Sequence, residues 1–89
     1  MAKREPGPDG ILRAEELEAR INNAVFETFR TGSGQFVLDW LKSITVSTAL
    51  GPSAPDSELR HREGQRYLVG IIDQRIKLGT AQIRKVVET

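Results

Sequence analysis

DSELRHREGQRYLVGIIDQRIKLG, residues 56–79, is the stretch on which the fold turns. Leu68, Ile71, Ile72 and Ile76 recur at intervals of three and four, the period of a helix face, with Tyr67 and Val69 beside them. Ser53 or Asp56 can cap its start, and Gly79 reads as its C-cap. The expectation is a helix over 56–78, roughly 33 Å long at 1.5 Å per residue. Its upper half, RHREGQR, is a polar collar and its lower half an apolar stem. Gly64 sits in the collar, four residues before Leu68, where a glycine costs about 1 kcal/mol relative to alanine. Close approach of another helix would compensate for it. Glu63 and Arg66, three residues apart, can pair and reach that neighbour. Glu63, Gly64 and Arg66 are therefore the expected helix or subunit contact.

Two further helices are expected upstream. Residues 11–30 carry Ala14, Leu17, Ile21, Ala24 and Val25 on one stripe, widened by Phe26 and Phe29. Asp9 is the expected N-cap, and Glu15, Glu16 and Glu18 suit the positive end of the helix dipole. TGSG, residues 31–34, breaks the pattern, with Gly32 in a cap conformation and Ser33 capping the next helix. That helix runs over 34–47 and carries Phe36, Val37, Trp40, Leu41 and Ile44. So short a link makes the two helices an antiparallel or angled hairpin. Residues 48–55, rich in glycine and proline, form a loop. Thr80 can cap a last short helix with Ile83, Val86 and Val87 on one face, although IRKVVET could also be a strand.

The fold class is all-α: a helical hairpin, one long helix packed on it, and a short C-terminal helix. Residues 1–10 form an extended arm, since Pro6, Gly7, Pro8 and Gly10 oppose a helix, and the arm is expected to reach a neighbouring subunit. Residues 11–79 are the helical domain and 80–89 the short helix or tail. Phe29, Phe36, Trp40 and Leu41 are the expected core. A chain of 89 residues buries only about 60–65% of its unfolded surface, so assembly would help it.

Composition narrows the function. Thirteen basic and twelve acidic residues give a net charge of +1, which disfavours a dedicated nucleic-acid binder. The chain has no cysteine, so thiol chemistry and disulfides are excluded. No apolar run is long enough to span a membrane, and MAKREPGPDG lacks the apolar region of a signal peptide. The single histidine, His61, lies between Arg60 and Arg62 and reads as a surface residue. TGSG is followed by Gln35 and Phe36, without the lysine and hydroxyl of a phosphate loop. No catalytic, cofactor or metal site is expected. Arg75, Lys77, Arg84 and Lys85 could touch phosphates.

Val25-Phe26 to Phe29, Gly34 to Val37-Leu38 and Leu41, the acidic Glu58, and Arg62-Glu63-Gly64-Gln65-Arg66 occur here in a recognisable order. Over residues 22–78 the chain resembles a family of small tailed-phage proteins encoded among virion-morphogenesis genes, best known from short-tailed phages. The resemblance implies a non-enzymatic structural or assembly protein with no catalytic residues to transfer. The resemblance leaves its place in the particle open; together with the small core, the absent chemistry and the arm, it leads to the expectation of several copies at the portal, the head–tail channel or the internal ejection core. Its partners would be its own copies and other virion proteins: portal, adaptor, internal core or capsid. It would be made in the host bacterial cytoplasm and reside in the virion. Two alternatives stand beside it, a capsid-associated decoration or scaffold protein and a small helical DNA-binding regulator. The second helix opens on Gly34-Gln35-Phe36-Val37-Leu38, too apolar for a major-groove reader.

Overall fold

A computed structural model describes residues 5–46 and 51–88. The described chain holds three helices, α1 (Glu15–Phe29), α2 (Gly32–Thr45) and α3 (Asp56–Glu88), with no strand among the described residues. The expected helix end at Ser47, and residues 48–50 of the expected loop, lie outside the described residues.

The first helix starts later than its apolar stripe suggests. Asp9 does not cap it; its carboxylate accepts the backbone N–H of Ile11 and pairs with Arg13 instead. Residues 11–14 thus stay outside the helix, and Ala14 stands at the N-cap without a side-chain bond. The corner to α2 consists of Arg30 and Thr31. Thr31, not Ser33, is the cap, its Oγ1 accepting the Gly34 N–H at 2.9 Å. Gly32 is helical; Gly10 is the positive-φ glycine among the described residues. The corner is tight because Gly34 lies directly under the end of α1. A Cβ there would overlap the Thr28 carbonyl oxygen and come within 2.7 Å of Phe29 Cα.

The long helix does not stop at Gly79. It runs 33 residues, so the described residues hold no separate C-terminal helix or strand. Its length of about 50 Å sets the long dimension of the molecule, 53 Å. Gly79 stays helical because it is the point where α1 crosses α3. A Cβ at Gly79 would stand 2.6 Å from the Asn22 carbonyl oxygen and from Phe26 Cβ. Thr80 does not cap a new helix; its hydroxyl bonds the Ile76 carbonyl one turn back. Gly64, by contrast, has nothing within 4 Å of its would-be side chain. Within the chain, the expected close approach belongs to Gly79 and Gly34.

The helices form a slab rather than a globule, 53 × 35 × 16 Å. A single helix with its side chains is already about 10–12 Å thick, so a 16 Å slab has almost no interior. The radius of gyration is 15.9 Å, against about 12 Å expected for a compact chain of this length. The accessible surface is 6860 Å², against about 5200 Å² expected for a monomer of this mass. Leu38 and Val69 are the buried apolar side chains among the described residues. Of the expected core, Phe29 and Leu41 are half-buried, but Phe36 and Trp40 are exposed, at 76% and 55%. Leu68, placed on the apolar stripe of α3, is exposed as well. The stripes are real, but the slab is too thin to cover them.

Candidate assembly surface

Three features stand on this frame: a buried arginine, the polar collar, and an uncovered apolar helix face. Arg75 lies on α3 three residues beyond Ile72 and four before Gly79, so helical geometry turns it into the α1 crossing. It is 2% exposed. Its guanidinium bonds the Glu18 carboxylate and, at 2.9 Å, Asn22 Oδ1, with Asp9 at 3.5 Å. Asn22 in turn donates to Gln82 Oε1 at 2.8 Å, and Gln82 donates to the Ala19 carbonyl. Arg13 closes the group, paired with both Asp9 and Glu18. A buried charge is tolerable only when paired and hydrogen-bonded in this way.

The same pairing sets the protonation of the carboxylates. The Arg75 guanidinium, then Arg13, holds the Glu18 carboxyl below the usual carboxylate range. The hydrogen bond from Arg13, with that from the Ile11 backbone, lowers Asp9 to about 2. Bonds to Asp9 and Glu18 raise Arg13 above its ordinary value. The network also ties the arm to the body. Asp9 joins Arg13 and Arg75, and Tyr67 donates its hydroxyl to the Pro8 carbonyl at 3.2 Å. Gly7 lies against the Glu18 carboxylate. Gly7, Pro8 and Asp9 are thus held on their own chain, while residues 1–4 of the expected arm lie outside the described residues. The arm, α1 and α3 enclose an open groove of about 850 Å³, lined in part by Arg13, Glu18, Tyr67 and Gln74.

The collar does reach a neighbouring helix, and arginine does the reaching. Arg62 donates to the Ile44 carbonyl at 3.0 Å and Arg66 Nε to the Thr45 carbonyl at 3.2 Å. These carbonyls belong to the last turn of α2, where four backbone acceptors lack helical partners and the dipole end is negative. Two cations there satisfy both needs. Glu63 pairs with Arg66 at 3.1 Å and its side chain is otherwise 70% exposed. Below the collar, Lys42 and Asp73 form an α2–α3 ion pair at 3.1 Å.

The basic residues divide. Lys77, Arg84 and Lys85 are exposed, whereas Arg75 is buried and paired, so it is unavailable to a phosphate. Among the described residues no three His, Asp or Glu side chains gather as a metal-holding group, and no helix is long and apolar enough to cross a membrane. His61 is exposed and meets Gln65 at 3.2 Å.

On α2 the buried positions are Gly34, Leu38 and Thr45. Phe36 and Trp40 fall on the far side, with Val37 and Ile44 on the flank between, all exposed. The helix is therefore apolar both where it meets α1 and α3 and where it meets solvent. Its polar strip is narrow, with Gln35, Asp39 and Lys42 its members.

A protein-family model matches residues 25–88, most of the chain, and its description is Bbp19-like phage protein. This chain belongs to that family. The Bbp19-like match takes in the last turn of α1, all of α2 and α3 down to its final residue. The segment after Gly79, which the sequence resemblance left out, is therefore part of the Bbp19-like unit, as the unbroken helix also requires. Searches of curated proteins and of solved structures found no match to this Bbp19-like chain.

The sequence pointed to the Arg62–Arg66 collar but missed the network of Asp9, Arg13, Glu18, Asn22 and Gln82 around Arg75. One signal was available. A charged residue that interrupts an apolar stripe at spacings of three and four must either be buried with partners or break the stripe.

Proposed function

We propose that this phage protein is a non-enzymatic virion structural or assembly component. It acts in several copies at the portal, the head–tail channel or the internal ejection core. The observation that carries this reading is the open slab: a radius of gyration of 15.9 Å with Phe36, Trp40, Tyr67 and Leu68 exposed. A chain that leaves this much apolar side chain in water gains stability from neighbours. Family membership supports partners among other phage proteins. The Glu63–Gly64–Arg66 collar is the second contact surface in this reading, because Gly64 faces open space and leaves room for a neighbour's backbone.

Quantitative mass spectrometry of purified particles, counting this protein against the major capsid protein, tests the proposal. A low, ring-like copy number supports the portal–tail axis or the core. Hundreds of copies would instead favour a shell decoration or scaffold. Absence from the particle would refute a virion component and leave an assembly factor or the DNA-binding regulator, for which Lys77 and Arg84, exposed and seven residues apart on α3, offer phosphate contacts. With Lys85 they would give a salt slope of about −2.7 on duplex DNA.

A further inference from the structure

The uncovered face of α2 is wide enough to identify its occupant. Ser33, Phe36, Val37, Trp40, Ser43 and Ile44 form a sector without a charged residue. Phe36 is 76% exposed, Trp40 55%, and Val37 and Ile44 43% each. A fully buried aromatic removes about 150–250 Å² from water, so the sector offers roughly 400 Å² of apolar surface. A standard interface covers about 800 Å² per partner. Its apolar share is a little over half, about 450 Å². The sector thus nearly supplies what one side of a stable dimer needs.

We propose that α2 is a homodimerisation helix, packed face to face on the α2 of a second copy of this chain. The inference deepens the multi-copy reading above and rests on it for its place in the particle. Two arguments select a second copy over another partner. A charge-free sector meets its own image without like-charge repulsion, which is the requirement for a two-fold contact. Trp40 lies midway between Phe36 and Ile44, so an antiparallel pairing sets Trp40 against its mate and Phe36 against Ile44 of the partner subunit, matching large to large. Aromatics at the centre of a patch are also where binding energy concentrates. A helix apolar around most of its circumference is a buried helix, and a second copy buries the half that α1 and α3 leave open.

The chain's single tryptophan and lack of cysteine make the test direct. Sedimentation of the purified full chain, across micromolar to hundred-micromolar concentrations, should show a dimer. Trp40 emission should shift to the blue over the same range. Phe36→Ser and Trp40→Ser should each weaken the dimer at least tenfold at unchanged far-ultraviolet helicity, since both side chains are exposed in the single chain. Trp40→Cys should cross-link to itself on mild oxidation, while Asp39→Cys, off the sector, should not. A chain monomeric at every concentration overturns the inference, as does a dimer indifferent to these substitutions or one cross-linked as readily through Asp39→Cys. If the serine variants lose helicity, the cross-link of the cysteine variants decides. A monomer found in many copies per particle would sink this inference alone. A dimer absent from particles would sink the virion-component reading alone.

Discussion

The α1–α3 crossing can be tested by making one substitution at two places on one helix. Glycine to alanine inside a helix gains about 1 kcal/mol from backbone propensity, wherever the new methyl is accommodated. At Gly64 nothing lies within 4 Å of the methyl. Gly64→Ala should therefore keep the whole gain and raise Tm by about 4–8 °C, the shift that 1 kcal/mol produces in a domain of this size. At Gly79 the methyl would stand 2.6 Å from the Asn22 carbonyl oxygen and from Phe26 Cβ. The carbonyl is α1 backbone and cannot swing away, so the helices must separate by roughly 1 Å, enough to forfeit a quarter to a half of each contact's attraction. Overpacking of this kind costs about 1–3 kcal/mol. The helix gain offsets part of it, leaving Gly79→Ala between about neutral and 2 kcal/mol less stable than wild type. The separation would also strain the Asn22–Arg75 and Asn22–Gln82 bonds. Parallel thermal and urea melts of both variants, at a concentration low enough to keep the chain monomeric, give the comparison. Equal gains at both positions would refute the crossing at Gly79. The oligomer size of Gly64→Leu, read separately, tests whether the collar contacts a neighbouring subunit: an unchanged size and Tm would remove Gly64 from any interface.

Other expectations concern the network and the corner. Arg75→Met leaves Glu18 with Arg13 as its remaining ion partner and Asn22 Oδ1 without its donor, and should cost about 1–3 kcal/mol in a urea melt; a single variant as stable as wild type would contradict the buried pairing. Stability should fall with acid. Glu18 and Asp9 have depressed carboxyl values, so their contribution is complete above the unfolded values of 4.5 and 3.8. It is lost as pH falls through the folded values, towards about 2 for Asp9. Glu18→Gln should flatten that acid limb in melts between pH 6 and about pH 2, and an identical limb in the variant would argue against the linkage. Gly34→Ala, forced against the Thr28 carbonyl, should destabilise by at least 1–3 kcal/mol on the overpacking scale, and a wild-type Tm would mean that the α1–α2 corner is looser than described.

Much of this molecule is local, and local features are legible in sequence. The apolar repeats of α1 and α2, the break at residues 31–34 and the proline-marked start of α3 depend on helical period and on backbone freedom within a few residues. They give an all-α hairpin followed by a long helix. The collar was legible too, as charges at helical spacing beside a glycine. What was not legible is what each feature touches. Gly79 and Gly64 look alike in sequence, yet one lies under α1 and the other faces solvent. Gly79 reads as a stop signal because glycines commonly end helices; only the crossing reveals that its role is to let two backbones approach.

The same distinction governs burial. Sequence determined that α2 is apolar around most of its circumference and that Arg75 lies on an apolar stripe. It could not say which half of α2 meets α1 and α3, nor that Glu18 and Asn22, more than fifty residues away, meet Arg75. Those outcomes depend on how three helices share a slab 16 Å thick, which is a property of their packing and not of any one segment. Helical period decides which residues share a face, because it is set by hydrogen bonds four residues apart. Whether that face is covered depends on long-range contacts, so only the tertiary structure separates the half-buried Phe29 and Leu41 from the exposed Phe36 and Trp40.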